Sequence, residues 1–204
     1  MDTLNPVSQE KYFKIISDTI LFFDMDGTLI DTDFANFCSY NKAVKSVLGS
    51  DYNLTFDPNK RLDRTGLKYL IANLSETDLD LIIKEKETCY YEFLSETKLN
   101  EDIVNILFKY CSTNLTVLVT NCREDRALMI LNHHGIMDRF NYIFCRQFVI
   151  NDFERVNKFQ NAIKKLDISP NVVIAFENEE IEILDAQEAG IEIINPKIYN
   201  YEEL

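Results

Sequence analysis

The amino-acid sequence predicts an α/β fold: a parallel sheet with helices on both faces, interrupted early by an all-helical block. Three observations predict it. From about residue 115 onward, short runs rich in β-branched and aromatic residues alternate with helical patterns. One more apolar run, Thr19-Ile20-Leu21-Phe22-Phe23, lies far upstream of them. Between the two, residues from about 33 to 109 carry helical spacing and no β-run.

The elements follow in order. Residues 19–23 are the first strand. Phe34, Phe37, Asn41, Val44 and Leu48 are spaced 3, 4, 3 and 4 apart, the stripe of an amphipathic helix. Leu67, Leu70, Ile71 and Leu74 predict a second helix, after a turn marked by Asp57-Pro58. Leu79, Ile82, Ile83, Tyr90, Phe93 and Leu94 predict a third. The runs at 115–120, 142–145, 172–176 and 191–194 are short and mostly apolar, and read as strands of a parallel sheet buried on both faces. Helices fill the gaps. Ala127, Leu128, Ile130 and Leu131 lead to Gly135; Phe159, Ala162, Ile163 and Leu166 lead to Pro170; Ile181, Leu184 and Ala189 lead to Gly190. The expected division is a core of residues 1–32 and 110–204, with a helical cap of residues 33–109 inserted after the first strand.

Bulk composition narrows the function. The chain has 204 residues and a net charge of -13, so a nucleic-acid backbone or an anionic membrane surface is repelled overall. No segment approaches the ~18 apolar residues of a membrane span. Asp2, Glu10, Lys11 and Lys14 precede any apolar run, unlike a secretion signal. The five cysteines, Cys38, Cys89, Cys111, Cys122 and Cys145, are odd in number, scattered and without a C-x-x-C pair. They read as reduced thiols of a cytoplasmic protein. His133 and His134 are adjacent with no cysteine spaced to join them in a zinc site.

The chemistry concentrates at "FFDMDGTLID", residues 22–31. A buried strand ends in two aspartates, Asp24 and Asp26, which repel each other unless a cation lies between. Carboxyl ends of parallel strands are where such sheets bind ligands. A divalent cation with hard oxygen ligands, Mg2+ above all, suits the pair. Asp24 is then the candidate nucleophile toward phosphorus, and Asp26 the proton donor and acceptor. Gly27 permits the sharp turn between them and the rest of the chain.

"DMDGTLID" resembles the first motif of the haloacid dehalogenase-like superfamily, whose members use an aspartate nucleophile. Three further motifs follow in that family's order. "LTVLVTN" resembles the second and gives Thr120 and Asn121. "VNKFQNAIKKL" resembles the third and gives Lys158, although Phe159 stands where the family often has proline. "VVIAFENEEIE" resembles the fourth, with Glu177-Asn178 where the family usually has Glu-Asp or Gly-Asp. The resemblance implies a Rossmann-like core and a small helical cap, as in the phosphoglycolate phosphatase and β-phosphoglucomutase branch. It implies Asp24, Asp26, Thr120 and Lys158 as catalytic residues, with Thr120, Asn121 and Lys158 holding phosphate. It implies magnesium held by Asp24, Asp26 (through its backbone carbonyl), Glu177 and Asn178. Glu182 fits the fourth motif's second acidic position, and Glu179 and Glu180 read as a solvated helix start.

Arg61, Arg64 and Lys68 form the most basic stretch of the cap, and Arg61 and Arg64 are candidate substrate contacts. The expected activity is hydrolysis of a small phosphorylated metabolite, by a monomer or homodimer. The competing readings are a β-phosphoglucomutase-type phosphotransferase, a phosphate-binding module without turnover, and a haloalkanoate dehalogenase.

Overall fold

A computed structural model describes residues 12–146 and 156–198. Asp2, Glu10 and Lys11, read above for their charge, lie outside the described residues. Strand β1 (Tyr12–Phe13) is followed by β2 (Ile20–Phe23), which runs into a tight turn and β3 (Ile30–Asp31). The helical block contains α1 (Asp33–Leu48), α2 (Arg64–Leu70), α3 (Glu76–Cys89) and a 3-10 segment, Tyr90–Glu96. Then come β4 (Lys98–Leu99), α4 (Glu101–Tyr110), β5 (Leu115–Val119), α5 (Glu124–His133) and β6 (Tyr142–Phe144). The chain ends in α6 (Lys158–Leu166), β7 (Val173–Phe176), α7 (Glu180–Glu188), β8 (Ile193–Ile194) and β9 (Lys197–Ile198).

Five of the strands form a parallel sheet in the order β6-β5-β2-β7-β8. Its three inner strands are nearly or wholly buried, because alternate residues of one strand serve opposite faces. Leu21, Phe23, Leu118 and Phe176 pack with α4 and α5 on one side. Phe22, Val117, Val119 and Ala175 pack with Phe159, Ala162 and Ala186 on the other. Phe23 and Phe176 stack at 5.0 Å between ring centroids across the register. The expected burial of 142–145 and 191–194 is only partial. β6 and β8 are the edge strands, Tyr142 is exposed, and only Ile193 and Ile194 of the last run pair as a strand.

The helical block has its own core of Tyr40, Val44, Leu54, Leu67, Leu79 and Ile82. The buried face of α1 runs through Ala35, Asn36, Ser39, Tyr40, Ala43 and Val44, offset from the expected stripe. Its small side chains allow close packing. Val44, Phe37 and Leu48 of that stripe do pack in or against the helical core, while Phe34 is exposed and meets Phe37 and Phe56 in an aromatic cluster. Helix α2 stops at Leu70, and Asn73 turns the chain at a positive φ of 60°, so Leu74 falls outside it.

The chain leaves and re-enters the core through β3 and β4, which pair antiparallel at Ile30–Leu99 and Asp31–Lys98. Helix α4, counted within the cap in the sequence reading, supplies Val104 and Leu107 to the sheet cluster. We therefore place the cap–core boundary near residue 98.

Gly27 adopts φ +85°, and a Cβ there would sit 2.6 Å from Asn178 Nδ2. Gly27→Ala should therefore cost at least about 1–2 kcal/mol from backbone strain alone, seen as a drop of a few degrees in Tm. An unchanged melting curve would contradict the turn described here.

Candidate active site

The sheet register brings the candidate residues together. Phe23 pairs with Phe176 on one side and Leu118 on the other. Asp24 thus emerges beside Glu177, with Thr120 one position beyond on the neighbouring strand end. The Asp24 N–H donates to the Phe176 carbonyl at 3.0 Å, which fixes this exit. The turn behind it is tight: Leu29 and Ile30 both donate to the Met25 carbonyl, and Gly27 donates to Ile30.

Asn157 caps α6 by accepting from the N–H groups of Phe159 and Gln160. That start places Lys158 at the strand ends. Its ammonium donates to Asp24 Oδ1 and Glu177 Oε2, each at 2.7 Å, and lies 3.5 Å from Glu182 Oε2. All four side chains are buried. Asn121 donates to Glu182 Oε1 at 2.9 Å, and Thr120 Oγ1 accepts from the Cys122 N–H.

Asp26 stands apart, facing the cap. It accepts from Thr32 Oγ1 and, at 3.0 Å, from Arg61 Nη2. Arg61 Nη1 also reaches Asp33 at 2.5 Å. Arg64 does not join the site: it pairs with Asp80 and Glu76 on the exposed side of the cap, at the start of α2, three residues after Arg61 in the preceding loop. Lys68 likewise pairs with Glu76.

The fourth motif divides its work. Glu177 Oε1 accepts from the N–H groups of Asn178 and Glu179, bracing the turn, while Oε2 faces Lys158. Asn178 Oδ1 is turned to the Thr28 hydroxyl at 2.8 Å and does not line the cavity. Its expected place among metal ligands therefore has no support in this arrangement.

A cavity of about 330 Å³ connects these groups. Asp63, Cys122, Arg126, Arg146 and Glu179 also line it, and none was singled out in the sequence reading as a contact. Arg126 was legible in part. It sits in the first turn of α5, six residues past Thr120 and four before buried Ile130, so its helix face turns inward.

Burial is the largest influence on Asp24. Glu177 and Asp26 reinforce it, Lys158 opposes it, and the carboxyl is raised to about 7. Burial alone would raise Asp26 too, but the Arg61 and Arg126 guanidiniums and the Thr32 hydroxyl outweigh it and hold that carboxyl below its ordinary value. Lys158 is raised, because Asp24 and Glu177 overcome its desolvation. The two aspartates are therefore in opposite environments although one residue apart.

The residues suit a divalent cation by charge and donor type. Six carboxylates and four cationic side chains line the cavity, leaving two negative charges. Asp24 and Glu177 offer hard oxygens on either side of one ammonium. Among the described residues no three Asp, Glu, His or Cys side chains form a closed ligand group.

The sequence model for haloacid dehalogenase-like hydrolases matches residues 21–195. This chain belongs to that family. Within it, the chain is 23% identical over 185 residues to the fructose-1-phosphate phosphatase YqaB of Escherichia coli K12, covering 87% of this chain and 96% of that one. It is 27% identical over 184 residues to a phosphorylated carbohydrates phosphatase of Thermotoga maritima, covering 85% and 82%. A solved haloacid dehalogenase-like hydrolase from Streptococcus pneumoniae shares the fold at a TM-score of 0.69 and 18% identity, over 87% of this chain and 83% of that one. No helix among the described residues is long and apolar enough to cross a membrane.

Asp24 binds a proton more tightly in the folded chain than in the unfolded one, where the carboxyl titrates near 3.8. Its contribution to stability therefore falls as pH rises from about 4 to 7 and is level above. In chelator, Asp24→Asn should melt progressively higher than wild type across that window, and by a constant margin above it. A margin that shrinks with rising pH would refute the crowded-carboxylate account.

Proposed function

We propose that this hydrolase is a magnesium-dependent phosphatase acting on a small phosphorylated metabolite, with sugar phosphates the first class to test. The observation that carries the proposal is the Lys158 ammonium held 2.7 Å from Asp24 with Thr120 on the same cavity wall. That is an anchored nucleophile beside donors for phosphate oxygens. The names of the two relatives support the substrate class, and the cavity volume suits a small molecule.

Asp24 attacks phosphorus, and the bond from phosphorus to the leaving oxygen breaks with its electron pair going to that oxygen. Asp26 gives the leaving oxygen a proton. Water then attacks phosphorus and passes a proton to Asp26, and the bond to Asp24 breaks, releasing inorganic phosphate and restoring both carboxyls. Thr120 and Lys158 donate to the phosphoryl oxygens through both steps. Asn121 and Glu182 keep Lys158 oriented. Magnesium, when bound, would neutralise the phosphate and screen it from Asp24. Asp24, Glu177 and the Asp26 carbonyl would hold it. Asp26 must lose the Arg61 pairing before it takes up the proton it donates, so substrate and Arg61 compete for the same carboxylate.

The test is phosphate release from a panel of sugar phosphates and p-nitrophenyl phosphate. Asp24→Asn should keep less than a few per cent of activity, and chelator should abolish turnover of the wild type. Residual release well above that level would rule out covalent catalysis by Asp24. Asp26→Asn should slow alkyl phosphates by ~10²-fold or more and p-nitrophenyl phosphate far less, because that leaving group barely needs a proton. Equal losses on both would remove Asp26 from proton transfer.

A further inference from the structure

We infer that Arg126, with Arg61 opposite it, recognises a second anionic group on the substrate, a carboxylate or a second phosphate carried by the leaving fragment. The inference rests on the phosphatase reading and names the substrate class within it. Three of the chain's seven arginines, Arg61, Arg126 and Arg146, line this one cavity in a chain of net charge -13. The cavity is also polarised. Asp24, Glu177 and Glu182 crowd around Lys158 at the strand ends. Arg61 and Arg126 stand on the cap-facing side and both act on Asp26.

The wall behind Arg126 carries more positive charge than its carboxylate can balance. Glu87 Oε1 serves two cations at once, the half-buried Arg126 Nη1 at 3.0 Å and the buried Lys86 Nζ at 3.1 Å. Lys86 is packed over the rings of Tyr40 and Tyr90, and burial and the nearby Arg126 lower it to about 8. Arg126 spends its Nε on the sulfur of Cys122 at 3.1 Å, and a thiol is a weak acceptor. Its guanidinium lies over the Tyr90 ring at 5.4 Å, and its Nη2 makes no hydrogen bond among the described residues. A guanidinium so fixed loses little freedom on binding. A planar anion would find the Arg126 donor from the core already in place, and would draw Arg61 of the cap from its pairing with Asp26.

Matched substrates test this. Phosphoglycolate against ethyl phosphate, and fructose 1,6-bisphosphate against fructose 1-phosphate, differ by one anionic group. The anionic member of at least one pair should have a kcat/KM higher by about tenfold or more, chiefly through KM, and which pair responds separates carboxylate from phosphate. Arg126→Gln should bring that ratio close to one, with Arg126→Lys keeping part of it. Binding to the wild type gives a reading that needs neither turnover nor variants: phosphonoacetate or methylenediphosphonate should inhibit or bind about tenfold more tightly than methylphosphonate. Equal affinity for the three phosphonates, or a ratio unmoved by Arg126→Gln, overturns the inference. If no phosphomonoester is hydrolysed, p-nitrophenyl phosphate included, the phosphatase reading fails. The phosphonate affinities then still decide the binding claim.

Discussion

One buried ammonium organises this molecule. Lys158 lies within hydrogen-bonding reach of Asp24 and Glu177 and close to Glu182, in a chain that already carries a large excess of acid. Three carboxylates, two at the ends of neighbouring strands and Glu182 in the first turn of α7, would repel each other strongly with burial reducing their hydration. The lysine lets them coexist. It also ties β2, β7, α6 and α7 to one point, since each contributes a member of the cluster or lies one residue from it. The start of α6, fixed by the Asn157 cap, is thereby part of the site's geometry as well as of the fold.

A second electrostatic unit faces it across the cavity. Asp26 and Arg61 connect core to cap, and Arg126 and Glu87 do so again from the other side. Both pairs are substantially shielded from water, so they count for more than exposed pairs such as Arg64–Asp80. Asp24 and Asp26, separated by one residue, thus belong to different units: one is crowded by acid and pushed up, the other is surrounded by guanidiniums and held down. Two carboxyls driven apart in this way are suited to two different chemical roles. Gly27 and Asn178 hold the turn between these units in its shape.

The cap-side unit also ties the position of the cap to the core. Arg61 comes from the loop before α2, and its partner Asp26 is on the core. Any ligand that draws Arg61 away removes one of the ties between the two parts. The Tyr90–Glu96 segment, with Tyr90 buried in the sheet cluster and beneath Arg126, keeps the other tie packed in place.

Much of this was legible in the sequence, and for physical reasons. A strand buried on both faces has to be largely apolar, so 19–23, 115–120 and 172–176 stood out, and a polar residue at the end of such a run marks the ligand-binding edge. Asp24 was found in that way, and Thr120 and Lys158 through the resemblance to the family's second and third motifs; the sheet register then set Asp24 beside Glu177 and near Thr120, and the Asn157 cap brought Lys158 to them. The cap stripes were read less well, since small residues such as Ala35, Ser39 and Ala43 were buried for close helix packing, while Phe34 was left at the surface. Charged residues were harder still. Arg61 and Arg64 are equivalent in the sequence, and only the direction each takes from the cap sends one to Asp26 and the other to Asp80. Asn178 resembled a ligand by position, yet the backbone turn points its oxygen at Thr28. Arg126 reaches the cavity only because α5 begins beside the strand ends, and α3 brings Glu87 and Lys86 up behind it. The sequence by itself determined the order of the five strands of the main sheet and of every helix but α4, and the carboxylate pair, because burial and turn chemistry are local properties of a chain. Which arginines face the cavity was decided only by the tertiary structure, because the charge balance there is made by groups far apart in the chain.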